Sequence, residues 1–185
     1  GAARPHIGEL GKRMVLRRLL ERRRKDLKVF RRSAAQPGFA DTLARALGEM
    51  KTYCISPQEL ARVSSTVRET GGVDLLADKL EDLLILYCEL EDYLAGRFTD
   101  PDDYLSLLAD RLELSTVVRG GEVWVDGFSG FTPQEYRVLA ALVRSARRVN
   151  ITLCADLKAL TCGMDETELF YPIRETYDTL CEIAA

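Results

Sequence analysis

The stretch EVWVDGFSGFTPQEYRVLAAL, residues Glu122–Leu142, combines an apolar run, an aspartate, two glycines and an amphipathic segment. Its apolar, β-branched and aromatic beginning predicts a strand at about Val123–Asp126. Thr132 is followed directly by proline and, three residues later, by Glu135, which is typical of a capped helix start. The stretch therefore predicts a strand, a turn and a helix that runs through Arg147.

The segment VNITLCAD then predicts a second strand at about Val149–Cys154. Two strands joined by one helix form a crossover unit, so we expect them to be parallel and the connection to be right-handed. Parallel sheets usually have further strands beside each pair and helices on both faces, and this sequence predicts only two strands. We therefore expect an incomplete α/β unit that self-associates through its open sheet edges.

Asp126 and Asp156 each follow a predicted strand and are expected at the same sheet edge, where α/β proteins bind ligands. ATP-hydrolysing motors place a Mg²⁺-binding aspartate at the first position and a water-orienting glutamate beside it. Here the next residue is Gly127, and the phosphate-binding motif G-x-x-x-x-G-K-[ST] does not occur in the chain. Two interpretations of Asp126 stay open: a turn residue that accepts backbone hydrogen bonds, or a metal contact within an intact parent protein. Neither predicts catalysis by this chain.

The residues before Ser115 predict helices only. The predicted helices are Gly8–Ser33, a second one from Phe39 after the Pro37-Gly38 break, a third from Ser56-Pro57 to Gly71, Val73–Ala95, and one from Asp100-Pro101 through Leu112. A last helix is predicted at Tyr171–Ile183. The expected fold class is therefore mainly α, with about five helices joined to an incomplete α/β unit that has two parallel strands.

Charge is distributed unevenly along the chain. Residues 1–32 carry +9, and since the net charge is −3, the remainder carries −12. Arg18, Arg22, Arg23, Arg24 and Lys25 are candidate DNA-binding residues, because Lys and Arg contacts to phosphates supply most non-specific DNA affinity. The other interpretation pairs this basic helix with acidic residues of Val73–Ala95, namely Glu81, Asp82, Glu89, Glu91 and Asp92.

Composition excludes several classes of protein and site. With 46% hydrophobic and 30% charged residues, the chain is neither disordered nor fibrous. No apolar run approaches the ~20 residues that cross a bilayer, so we expect no membrane segment. Five scattered cysteines without a C-x-x-C motif, and a single histidine, indicate reduced thiols in a cytoplasmic protein and no metal site. The chain starts with Gly-Ala, and we expect it to be a piece of a longer protein.

Three stretches carry a family resemblance: KRMVLRRLLERRRKDLKVFRRSAAQPGFADTLARALGEMKTYCISPQEL, VWVDGFSGFTPQEYRVLAALVRSARRVNITLCAD and ELFYPIRETYDTL. Together they resemble the AddB subunit of bacterial AddAB-type helicase–nucleases. The combination of D-G-F-x-G-F-T-P with L-x-x-F-x-x-x-A-x-x-P-G-F makes the resemblance specific. It extends over nearly the whole chain.

The resemblance implies that residues 1–114 are a helical insertion domain of a superfamily-1-like helicase region. Residues 115–185 would be part of a RecA-like α/β domain. Family members are helicase–exonucleases that process DNA double-strand breaks for recombinational repair, with AddA as partner. ATP, Mg and an iron–sulfur cluster would be bound outside this chain, which itself is expected to hold no cofactor.

The resemblance also places Asp126-Gly127 where active relatives have Asp-Glu. Cys154–Ala159 falls where active motors have Gly-Asp-x-x-Gln, and Ala159 has no amide to sense a phosphate. AddB's motor-like half is thought to be degenerate and to take part in recognising a regulatory DNA sequence. We expect this chain to contact DNA or act as a scaffold without turnover. The alternative is a protein-interaction module that docks on the partner helicase subunit.

Overall fold

The computed structural model describes residues 4–70, 74–156 and 167–185 of the chain. Among these residues it confirms the expected class, mainly α with two parallel strands. No helix in the described ranges combines the length and the apolar character that a membrane span requires. In chain order the elements are α1 (Glu9–Arg23), a short 3-10 helix (Ser33–Ala35), α2 (Phe39–Thr52), α3 (Pro57–Glu69), α4 (Asp74–Leu94), a second 3-10 helix (Pro101–Asp103), α5 (Tyr104–Leu112), β1 (Glu122–Val125), α6 (Pro133–Ser145), β2 (Arg148–Ile151) and α7 (Tyr171–Ala184).

The chain forms two compact units, and the first ends at Asp103. Its core consists mainly of leucines at helical spacing on α1, α2 and α4, so each helix turns one apolar side inward. Ser56 accepts a hydrogen bond from Glu59 N at 3.1 Å and caps α3, as the sequence predicts. The predicted helix boundaries at Gly71 and Val73 lie outside the described residues. The most deeply buried leucines of this core are Leu16, Leu19, Leu20, Leu27, Leu47, Leu86 and Leu90.

The prediction of one helix over Gly8–Ser33 is wrong beyond Arg23, where α1 ends. Asp82 of α4 is fully buried and accepts hydrogen bonds from the backbone N–H groups of Lys28, Val29 and Phe30, at 2.8–2.9 Å. In a continuous helix those N–H groups would bond to carbonyls four residues earlier. The carboxylate takes them instead, so the chain leaves the helix and forms a loop before α2.

The second unit begins at Tyr104, earlier than the change of character that the sequence shows near Ser115. The reason is that α5 packs against α6, with Ala109, Leu112 and Ala141 buried between them. Gln134 Nε2 also donates to Ser106 Oγ at 3.1 Å. The assignment of residues 1–114 to a helical insertion and of 115–185 to a RecA-like segment stays a prediction.

The two strands of the second unit are parallel, as predicted, with Val123 opposite Val149 and Val125 opposite Ile151. β2 ends at Ile151, before the predicted Cys154, and the last bond between the two strand ends runs from Thr152 N to the carbonyl of Val125, at 3.0 Å. The sheet has two strands among the described residues, and Trp124 of β1 is 70% exposed. Self-association through the sheet edges stays a prediction.

Candidate nucleic-acid interface and strand edge

The carboxyl ends of β1 and β2 form a cleft of about 400 Å³ in the second unit. Asp126 follows β1 there, and its Oδ1 accepts a hydrogen bond from Thr152 Oγ1, just beyond β2. The carboxylate therefore ties the two strand ends together. The partner is a side-chain hydroxyl 26 residues away, not one of the backbone N–H groups that the turn interpretation expects, so this contact does not decide between the two interpretations of Asp126.

Gly127 has a φ of 82°, in the left-handed region where side chains other than that of glycine are strained. A Cβ at this position would meet no atom within 4 Å. The turn therefore selects glycine by its backbone conformation and not by lack of space. A glutamate, which an ATP-hydrolysing relative would need here, is disfavoured by the same geometry.

Asp156 is exposed and does not line the cleft that contains Asp126 and Gly127. The residues after it, up to Ala159 of the predicted phosphate-sensing segment, lie outside the described residues. Among the described residues, the cleft contains neither a phosphate-binding loop nor a glutamate beside Asp126. Its residues do not fit a complete ATP site, and no ATP-dependent step follows from them.

Two of the five candidate DNA-binding residues are neutralised within the first unit. Arg22 Nη2 pairs with Glu89 of α4, and Arg23 Nε donates to the same carboxylate at 2.8 Å. The Glu89 side chain is only 14% exposed, so this pair is less screened by solvent than a surface ion pair. For Arg22 and Arg23, pairing with the acidic helix is the interpretation that the contacts support.

The other three candidates, Arg18, Arg24 and Lys25, are exposed. No carboxylate lies within ion-pair distance of them in the part of the chain that the structure describes. Arg24 instead donates from Nε to the carbonyl of Arg31 at 3.1 Å. Their positive charges are therefore not neutralised by any described carboxylate, and sequence alone does not separate them from Arg22 and Arg23.

The acidic residues of α4 divide between several partners. Lys28 Nζ lies 2.9 Å from Asp78 and 2.7 Å from Glu81. Hydrogen bonds from Lys28 lower the pKa of both carboxylates, and the bond to Glu81 contributes most to the raised pKa of Lys28. Of the acids proposed to pair with the basic helix, Glu81 and Glu89 pair with its cations, while Asp82 binds backbone N–H groups.

A buried ionic cluster in the first unit was not predicted from the sequence. Lys51 Nζ contacts carboxylate oxygens of Glu91 at 2.8 Å, Asp100 at 2.9 Å and Asp103 at 2.9 Å. Lys12 Nζ lies 2.8 Å from Asp100, whose side chain is 1% exposed. The three carboxylates on Lys51 resemble a metal-binding group, but its ammonium occupies the position between them.

The cluster shifts the pKa values of its members through opposing effects. Burial raises the pKa of Asp100, but the hydrogen bond from Lys12 and the charge of Lys51 outweigh burial, so the net shift is downward. Burial likewise lowers the pKa of Lys51, yet contacts with Glu91, Asp103 and Asp100 raise it overall. Both groups are therefore charged at neutral pH.

The whole chain is similar in sequence to one family of proteins. The sequence model of the family described as "ADDB, N-terminal" matches residues 1–185. Proteins whose names describe them as subunits of an ATP-dependent helicase/deoxyribonuclease align with the whole chain: 74% identical over 184 residues in Pelotomaculum thermopropionicum, 55% over 184 in Desulforamulus reducens and 39% over 188 in Geobacillus thermodenitrificans. The chain spans 16% of the length of each of these relatives.

Proposed function

Since the chain belongs to the AddB N-terminal family, we propose that it is the N-terminal part of a subunit of an ATP-dependent helicase–deoxyribonuclease. In this proposal the complex processes DNA double-strand breaks in the cytoplasm for recombinational repair. An AddA-like subunit is the partner, and ATP, Mg²⁺ and an iron–sulfur cluster are bound outside this chain. The names of the relatives support the helicase–nuclease assignment.

The proposed role of this chain within the complex is to contact DNA without hydrolysing ATP. The observation that carries it is a set of exposed cations in the second half of α1 and just beyond it, namely Arg18, Arg24 and Lys25, which no carboxylate neutralises among the described residues. Such cations bind phosphates and release counterions, which makes affinity dependent on salt and independent of sequence. Gly127 beside Asp126 supports the absence of turnover.

The test is DNA affinity measured over a series of salt concentrations. The double variant Arg18→Ala/Lys25→Ala removes one cation from α1 and one from just beyond its end. We expect weaker binding for all DNA sequences and a slope of log affinity against log salt that is smaller by about 0.9 per lost contact with duplex, or about 0.7 with single strands.

A matched control removes the same charge elsewhere in the first unit. Arg45 of α2 and Lys79 of α4 are exposed, as Arg18 and Lys25 are. Arg45→Ala/Lys79→Ala also removes one arginine and one lysine, so its net charge equals that of the test variant. We expect it to leave the salt slope unchanged. An equal effect of both variants would show that only net charge matters and would contradict a DNA-binding surface at the end of α1.

The alternative function is docking on the AddA-like subunit. It is favoured by the ion pairs of Arg22 and Arg23 with Glu89, which leave fewer cations free for DNA. In that case Arg18→Ala/Lys25→Ala leaves DNA affinity unchanged and weakens assembly of the two subunits. Co-purification of the partner with each variant separates the two functions.

A further inference from the structure

The segment between α1 and α2 concentrates positive charge in a few residues. Residues 24–32, called here the basic loop, contain five cations and one acid. Lys28 pairs with α4, and Asp26 pairs with Arg23 at 3.2 Å. The other four cations are exposed and have no carboxylate partner among the described residues: Arg24, Lys25, Arg31 and Arg32.

Three contacts with the rest of the first unit hold the basic loop in place. Asp82 accepts the N–H groups of three consecutive loop residues, from Lys28 to Phe30. Leu27 is fully buried in the core, and the ring of Phe30 lies 5.3 Å from that of Phe39 on α2. These contacts hold the loop backbone in one conformation, so the backbone that carries the cations needs no ordering when a ligand binds.

Arginine side chains also connect the two ends of the loop. Arg24 Nε donates to the carbonyl of Arg31 at 3.1 Å, and Arg31 Nη2 donates to the carbonyl of Lys25 at 2.5 Å. Arg31 Nε reaches the carbonyl of Leu27 at 3.2 Å. These bonds place the backbone of Arg31 next to the side chain of Arg24, and the side chain of Arg31 next to the backbone of Lys25, although Arg24 and Arg31 are seven residues apart.

The composition of the loop surface indicates what it binds. Like charges without counter-charges repel one another, and an anionic ligand with closely spaced charges relieves that repulsion. Guanidinium groups match the geometry of phosphate oxygens. Leu27 is buried and Val29 and Phe30 are partly buried, so the loop presents few apolar anchors of the kind that the centre of a protein interface needs.

We propose that the basic loop is a preorganised binding site for the phosphodiester backbone of DNA, with Asp82 as its positioning residue. This inference rests on the proposed function and adds to it the loop residues Arg31 and Arg32, which were not among the candidates from sequence. Asp82 acts through the loop backbone and touches no ligand.

The first test uses Arg32, whose side chain takes part in none of the loop contacts described above. Arg32→Ala should reduce the salt slope of duplex binding by about 0.9, and Arg32→Lys should retain the slope. If Arg18→Ala, which lies on α1 outside the loop, weakens DNA binding but Arg32→Ala does not, the loop site is overturned while the proposed function stands. If neither variant changes binding, both are overturned.

The second test uses Asp82→Asn, which removes the negative charge that contacts the backbone of the basic loop. On charge alone the variant should bind DNA more tightly, whereas loss of the loop conformation should weaken binding several-fold. We expect weaker binding, and we expect Arg32→Ala to have a smaller effect in the Asp82→Asn background. Tighter binding would overturn the positioning role.

Two controls complete the design. Far-UV circular dichroism establishes that Asp82→Asn is folded, and if it is not, the pair Arg32→Ala and Arg32→Lys decides the proposal alone. Poly-glutamate is the competitor that separates DNA from an acidic protein segment. Competition by poly-glutamate as strong as that by DNA, at equal charge concentration, would overturn the assignment to phosphodiesters.

Discussion

Gly127 follows Asp126 in the turn after β1, and its φ of 82° makes the turn dependent on glycine. Gly127→Glu should lower the free energy of unfolding by about 1 kcal/mol, since a side chain is penalised in the left-handed region. Open space around the Cβ position means that the cost arises from the backbone alone. Urea denaturation measures the change, and an ATPase assay should show no hydrolysis by either form.

The matched control for this prediction is Gly127→Asn. Asparagine tolerates the left-handed conformation better than other residues with a side chain, so its cost should be smaller than that of glutamate. Equal stability of the Glu variant and the original chain would mean that the turn relaxes to another conformation. The sequence identified Gly127 as the residue in place of glutamate, but only the backbone angle explains why glycine stands there.

Among the helices, α6 has a start whose contacts follow directly from its sequence. Thr132 Oγ1 accepts from Glu135 N at 3.4 Å, and Glu135 Oε2 accepts from Thr132 N at 2.7 Å. Thr132→Ala should destabilise the chain by about 1 kcal/mol. Because the two bonds are reciprocal, the double variant with Glu135→Ala should cost less than the sum of the single variants.

The start of helix α3 serves as the comparison for the single and double variants of Thr132 and Glu135. Ser56 caps it in the same way, but the side chain of Glu59 pairs with Arg62. The effects of Ser56→Ala and Glu59→Ala should therefore be closer to additive in denaturant unfolding. Strong coupling in α3 and none in α6 would contradict this account of the two helix starts.

The predicted and observed elements agree where the signal is local. The caps at Ser56 and Thr132 and the two apolar strands are all readable over a few residues. The length of α1 is not, because its continuation beyond Arg23 is prevented by Asp82, which is 54 residues from Lys28 in sequence. An acidic residue on an amphipathic helix gives no sign that it is buried and bound to backbone N–H groups.

At the scale of the whole first unit, the cluster around Lys51 joins α2, α4 and the segment Asp100–Asp103. Lys51→Met should cost about 3–5 kcal/mol, because it leaves buried carboxylate charge without its partner. Lys79→Met on the exposed side of α4 should change stability by less than about 0.5 kcal/mol. Urea unfolding at neutral pH measures both variants.

The pH dependence of the cluster follows from the shifts of its two central groups. The pKa of Asp100 is lowered from its ordinary 3.8, so its contribution is present above that pH and is lost as pH falls through the folded-state pKa. The pKa of Lys51 is raised from 10.5, so its contribution is complete below that pH and is lost only at more alkaline pH. The cost of Lys51→Met should therefore shrink below about pH 3.8. A cost that does not change between pH 7 and pH 3 would contradict the pairing.

The order of the residues was enough to predict the class of the fold, the positions of most helices, the parallel strands and the family, and to locate Gly127 where an ATP site would need a glutamate. These features depend on local periodicity, on capping residues or on contiguous motifs, so they are present in the order of the residues. Charge asymmetry likewise indicated a basic surface near the N-terminal end of the chain.

Which of those cations lack a carboxylate partner, and how they are arranged, became visible only when the helices were packed together. Glu89 neutralises Arg22 and Arg23, Asp82 converts the end of the predicted helix into the basic loop, and Lys51 gathers three carboxylates from two separate segments. Each of these outcomes joins residues that are far apart in sequence. Their physical cause is the burial of charge, because a buried carboxylate or ammonium must find a partner wherever the packed helices bring one within reach.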